Sequence, residues 1–192
     1  MEADKKGPPH PRFVFQKRWK VAAKEVLCVR CAGKGKTCCQ GTEVYVTLGD
    51  VGRICRQTGA THFTELAPVF NPVYSDQSHD PVWQAYVFRR DGRRRVLKRS
   101  PSGDCTFLTT TGCRLPMEVR PLVCRLFPFS YTSGGIGPEF DPGCPVSLLE
   151  PGESLIDALH MSPDQAHEWH RKLYEEILFD GDDYWPDLRL AI

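Results

Sequence analysis

No stretch of this 192-residue chain approaches the run of roughly 18 apolar residues that a membrane span requires. The opening residues, MEADKKGPPHPR, lack the apolar core of a secretory signal, so the expected compartment is the cytoplasm. Net charge is only +1, and global electrostatics therefore predicts neither a nucleic-acid nor a membrane partner. No Ser–His–Asp order and no pair of carboxylates stands out as a catalytic constellation. The glycine-rich SGGIG at 133–137 neither follows a clear strand nor opens a helix, which excludes a nucleotide loop on context. His167 and His170 fall in HEWH, which is not the H-E-x-x-H of zinc proteases, and are read as solvent-exposed. Against these absences stands one excess, nine cysteines in an otherwise ordinary globular composition.

In a reducing compartment disulfides are rarely kept, and metal ligation is the usual reason for many cysteines. Cys28 and Cys31 have the common chelate spacing, two residues apart, which lets one tight turn present both sulfurs to one metal. Cys38 and Cys39 are adjacent and could bridge each other only through a strained small ring. Cys105, Cys113 and Cys124 follow in GDCTFLTTTGCRLPMEVRPLVCRLFPF, and Cys144-Pro145 stands beyond them. Cys55 differs. It lies next to Ile54 on the apolar face of an amphipathic helix and is expected in the core, leaving eight thiols, enough for two four-sulfur sites. Thiolates select zinc, iron–sulfur or copper(I), and four of them accept zinc and iron–sulfur alike. A tetrathiolate zinc site or a cubane carries about −2 overall, and Arg120 and Arg125, flanking Cys124, are the expected counter-charges.

Element signals are uneven. Residues 1–12 read as a disordered lead, and helical spacing of Phe15, Trp19, Ala22 and Val26 predicts a helix delivering the chain to Cys28. CVRCAGKGKTCC reads as a loop, with Lys34 and Lys36 softening thiolate charge. EVYVT (43–47) predicts a strand. Thr47 and Asp50 predict a capped helix stopped by Gly59, with Leu48, Val51, Ile54 and Cys55 buried. A short helix is expected over 62–67, a loop over 68–82 and a strand over 83–88. Asp91-Gly92 predicts a hairpin with 94–98 returning. Residues 105–108 and 113–115 suit a pair of short strands, and Pro121 suits the first turn of a short helix carrying Cys124. Residues 132–145 are expected to be irregular. Ser162-Pro163-Asp164-Gln165 opens a helix over about 162–179. RRDGRRRVLKR (89–99) is basic but has no interleaved aromatics, so a solvated hairpin tip is favoured over a nucleic-acid grip.

The pattern Cys-x2-Cys-x6-Cys-Cys, then VTLGDVGRI, GDCTFL, GCRL, VRPLVCRLFPF and a late Cys-Pro resembles the CxxCxxCC cysteine-cluster family, the YkgJ-like zinc- or iron-chelating domains. The resemblance spans about 28–145. By position it implies Cys28, Cys31, Cys38, Cys39, Cys105, Cys113, Cys124 and Cys144 as the cluster residues. The family includes flagellin lysine N-methylases, which methylate protein lysines, so the resemblance implies a second reading, an iron–sulfur-dependent protein-modifying transferase. Together these readings predict a small single α+β domain over 13–192, with short strands, a few helices and much irregular structure organised around a cysteine metal cluster. The expected role is a zinc or iron–sulfur module with a structural, redox or interaction function and a possible protein partner.

Overall fold

A computed structural model describes residues 25–34 and 37–184. The expected lead over 1–12, nearly all of the expected helix from Phe15, and Lys36 lie outside these residues. The fold is mixed α+β, built from short helices and small antiparallel strand pairs. Among the described residues no helix is long and apolar enough to cross a membrane.

Local capping chemistry fixes the best-defined elements. Helix α2 (Leu48–Thr58) starts at Thr47, whose hydroxyl accepts from the Asp50 amide at 2.9 Å while the Asp50 carboxylate accepts from the Thr47 amide at 3.2 Å. It stops at Gly59, at φ 70°, the left-handed conformation that glycine adopts without strain. Leu48, expected on the buried face, is exposed, and of the expected apolar face only Ile54 is fully buried. The long helix α6 (Pro163–Tyr184) begins where the capping box placed it and runs past 179. Its last described turns are anchored to the N-terminus of α2. Asp180 accepts from the Leu48 amide at 2.7 Å and from Arg95 at 2.9 Å, and Glu176 accepts from Arg53 and from the Thr47 hydroxyl.

Several expectations give way to tertiary pairing. Residues 62–67 were expected to be helical, but Thr64–Pro68 forms strand β1, paired antiparallel with β2 (Arg93–Leu97) from Thr64↔Leu97 to Pro68↔Arg93. The other side of β2 pairs with extended residues 44–46, through Val46 N–H to Arg95 O at 3.1 Å and Leu97 N–H to Val44 O at 2.9 Å. The edges of β2 demand partners, and that demand outweighs weak helical propensity. Residues 83–88 were expected to form a strand, but helix α3 (Pro81–Tyr86) occupies them. Buried Asp80 caps it by accepting from the Trp83 amide at 3.1 Å, and Pro81 holds the first turn. The Asp91-Gly92 turn is present, but its returning strand finds β1 rather than 83–88.

The basic stretch is not simply a solvated tip. Arg94 is 2% exposed, lies between the rings of Tyr74 and Phe88 and reaches Glu43 at 3.4 Å. Residues 132–145 are not irregular throughout. Strands β5 (Phe129–Thr132) and β6 (Gly135–Phe140) form a hairpin. His170, expected in solvent, is half-buried against Tyr131 and Tyr174, with Nε2 2.7 Å from the Thr132 carbonyl.

The core forms three clusters. The first gathers Tyr45, Trp83, Leu122, Leu126, Leu173 and Ile177 beneath α6. The second holds Val44, Val46, Ile54, Phe63, Phe107 and Leu115, and the third holds Leu27, Leu155, Ala158 and Met161. Cys105, Cys113 and Cys124 border the second cluster, and Cys28 and Cys144 belong to the third. The thiols therefore line the seam between the two.

Candidate metal centre

Four backbone devices bring distant cysteines to this seam. First, Cys28 and Cys31 lie on helix α1 (Leu27–Ala32) rather than in the expected loop. Three residues apart, they share one helix face. Second, the segments carrying Cys39 and Cys105 are zipped antiparallel. Cys105 N–H donates to Cys39 O at 2.8 Å, Gln40 bridges Asp104, and Gly41 N–H donates to Gly103 O at 3.3 Å. Third, β3 (Leu108–Thr109) and β4 (Gly112–Cys113) form a minimal hairpin in which Leu108 pairs with Cys113, and β4 packs against α1. Fourth, helix α4 (Leu122–Leu126) carries Cys124, and its first amide, Leu122 N–H, donates to buried Asp50 at 3.1 Å.

Gly112 sets the distance between the first and third of these, α1 and the β3–β4 hairpin. Its φ is 95°, and a Cβ there would sit 3.4 Å from the Cys28 carbonyl oxygen. Gly112→Val should therefore strain the turn and push β4 away from α1. The expected result is a loss of metal content at unchanged secondary structure, read by elemental analysis beside far-UV circular dichroism. Full metal content in the valine variant would show that this approach does not matter.

All nine cysteines are free. Burial pushes the Cys28 and Cys113 thiols up, and Arg120 opposes it by charge and by hydrogen bonds to both sulfurs. Burial also raises Cys124 well above the usual thiol range, reinforced by the neighbouring Cys39, Cys105 and Cys113. Cys105 and Cys144 are pushed up to about 11 by burial. Cys39 moves the other way, to about 7, because the Cys38 S–H donates to its sulfur, with further help from Arg120 and the Thr37 hydroxyl. Its partner Cys38 is correspondingly driven far up. The vicinal pair therefore titrates as a coupled unit.

These effects link all eight predicted ligands. Cys28 influences Cys31, Cys38 and Cys144, and Cys39 influences Cys28, Cys31, Cys105, Cys113 and Cys124. Cys55 sits on α2 and packs against the second core cluster, beside Val51.

The two arginines divide their work. Arg120 Nε donates to Leu115 O at 3.0 Å, and its guanidinium faces the sulfurs of Cys28 and Cys113. Arg125 is 4% exposed and donates to the carbonyls of Arg120 at 2.7 Å and Glu118 at 2.5 Å, with Trp169 beside it. It therefore fastens the backbone that carries Arg120. Sequence reasoning missed Thr37, and it read Asp50 only as a helix cap.

A family model described as "Putative zinc- or iron-chelating domain" matches residues 27–145. The chain belongs to this CxxCxxCC family. No curated protein and no solved structure matches it. The matched span opens at α1 and closes at Cys144-Pro145, so it encloses every thiol of the seam. The donor chemistry fits the family's metals, since thiolates are the ligands that zinc and iron–sulfur centres share. Among the described residues, however, no three Cys, His, Asp or Glu side chains stand ready as a metal site.

Proposed function

We propose that this CxxCxxCC chain is a metal-holding module in which Cys28, Cys31, Cys38, Cys39, Cys105, Cys113, Cys124 and Cys144 bind zinc or an iron–sulfur centre. Its role is structural, redox or partner-binding. The observation that supports this reading is that backbone pairing brings Cys39 beside Cys105 and packs the Cys113 strand against α1, with Arg120 beside Cys28 and Cys113. Free thiols in this number suit a reducing compartment, which supports a cytoplasmic location.

Cys39 is the thiol whose charged form is most favoured, because the Cys38 S–H donates to its sulfur and Arg120 lies near it. The other thiols give up their protons as they become ligands, so uptake releases protons and weakens as pH falls. A bound metal would supply the positive charge that makes several neighbouring sulfurs tolerable as thiolates. Arg120 holds the remaining negative charge from the protein side, and Arg125 and Asp50 position the helix and loop that present Arg120 and Cys124.

Anaerobically purified protein, studied by metal analysis and ultraviolet–visible spectroscopy, tests this reading. Zinc without visible absorption, or iron with sulfide and a visible charge-transfer band, supports it. Metal-free protein that also fails to take up either would overturn it. Arg120→Leu should weaken metal affinity by about 10–100-fold, the usual consequence of removing an outer-shell partner. Arg93→Leu, on the exposed side of β2, should leave it unchanged. Competition with a chromogenic chelator measures both.

A further inference from the structure

Cys144 reaches the seam differently from the other thiols. It lies in an irregular segment after β6, followed by a single 3-10 turn at Val146–Leu148, and Val146 there is 61% exposed. No strand or long helix fixes its place. The tie to the rest of the site is Arg30, on α1 between Cys28 and Cys31. Arg30 Nη1 donates to the Leu148 carbonyl at 2.9 Å and to Glu153 Oε2 at 2.9 Å. The same Glu153 oxygen accepts from the Glu150 amide at 3.0 Å, which closes the loop on itself. The Glu153 side chain is only 4% exposed in this pair. Arg30 Nε and Nη2 are buried without hydrogen-bond partners, so as a purely stabilising device the clamp is inefficient.

We infer that Arg30 and Glu153 form a latch that determines whether Cys144 joins the thiols of α1 as a metal ligand. The inference rests on the metal-holding reading above. Arg30 stands on the same helix as two proposed ligands, so the latch couples their position directly to that of Cys144. With the latch closed, the Cys144 thiol lies where it is influenced by Cys28 and Cys31. With it open, the 141–153 segment keeps the Asp141 N–H bond to Pro128 O at 2.7 Å and its apolar contacts through Cys144, Leu148 and Leu149 to the third core cluster. Arg30 is a positioning residue, since it acts through Cys144 and Glu153 rather than on the metal.

Cobalt(II) is the probe, because the intensity of its sulfur-to-metal charge-transfer band scales with the number of thiolate ligands. Full-length wild type, Arg30→Ala, Arg30→Lys, Glu153→Gln and Cys144→Ser are loaded with cobalt(II), and Cys144 alkylation by iodoacetamide is followed by mass spectrometry. The expected result is that Arg30→Ala and Glu153→Gln lose the same increment of charge-transfer intensity as Cys144→Ser. Cys144 should then be alkylated at least 10-fold faster than in wild type, while cobalt remains bound. Arg30→Lys should restore part of both, since it keeps the charge but lacks the planar fork. Wild-type band intensity with a protected Cys144 in Arg30→Ala would overturn the latch. A wild type that binds no cobalt and also holds neither zinc nor an iron–sulfur centre would overturn the metal-holding reading itself, so the two failures are distinguishable. Loss of cobalt from Arg30→Ala together with loss of its circular dichroism would also overturn the latch in favour of a general folding role.

Discussion

Replacing Asp50 with alanine is expected to lower stability by about 2–4 kcal/mol, the combined cost of a lost helix cap and of buried backbone donors left without an acceptor. Asp50 is fully buried, and each of its carboxylate oxygens is engaged. Oδ2 accepts from the Thr47 amide at 3.2 Å, and Oδ1 accepts from Arg53 at 2.6 Å and from the Leu122 amide at 3.1 Å. One side chain therefore closes the N-terminus of α2 and holds the N-terminus of α4. Arg53 would be left with Glu176, and α4 would lose the group that fixes where Cys124 begins its turn. Asparagine retains an oxygen for Leu122 but loses the charge facing Arg53, so Asp50→Asn should fall between wild type and alanine. Urea unfolding at constant slope gives the stability change, and metal content of the same preparations gives the effect on the site. An alanine variant with an unchanged midpoint would mean that the Asp50 carboxylate is not a structural tie.

Chelation is expected to have the second large effect. With metal at about 1,000 times its dissociation constant, mass action supplies about 4 kcal/mol. For a chain of this size that corresponds to roughly 8–16 °C in Tm. The elements around the seam are too small to stand alone. Helix α1 has six residues and no side-chain cap, β3 and β4 have two residues each, and the Cys144 segment is irregular. Isolated helices of this length are not stable in water. By contrast, α6 and the β1–β2 pair are held by packing and backbone ladders. Hydrogen exchange should therefore show the loss of protection concentrated in 27–43 and 105–113, with α6 little changed. An unchanged Tm after confirmed metal removal would show that these segments are held by the protein alone.

What could be read from the sequence follows from how local the physics is. The capping box at Thr47 and Asp50, the glycine stop at Gly59 and the start of α6 at Ser162-Pro163 each depend on neighbouring residues, and each is found where expected. Asp80-Pro81 is a signal of the same kind, but the apolar, aromatic run after it reads equally well as a strand. The helix forms because Asp80 also accepts from the Ser133 amide and from the Tyr174 hydroxyl, partners distant in sequence. Residues 62–67 and 132–145 were misread for a related reason. Their structure is set by β2 and by the β5–β6 pairing, not by their own propensities.

The candidate site divides along the same line. The sequence by itself determined the set of thiols and the family signature, because thiol chemistry belongs to the residue type and the spacing of the cysteines belongs to the chain. The tertiary structure alone decided which cysteines become neighbours. It set Cys39 beside Cys105 through a backbone zipper and Gly112 against the Cys28 carbonyl. It also turned Arg120 toward the sulfurs and Arg125 toward backbone carbonyls, although both flank Cys124. Adjacency in sequence does not fix the direction of a side chain. That direction depends on which buried donors must find acceptors, and the acceptors are supplied by the path of the whole chain.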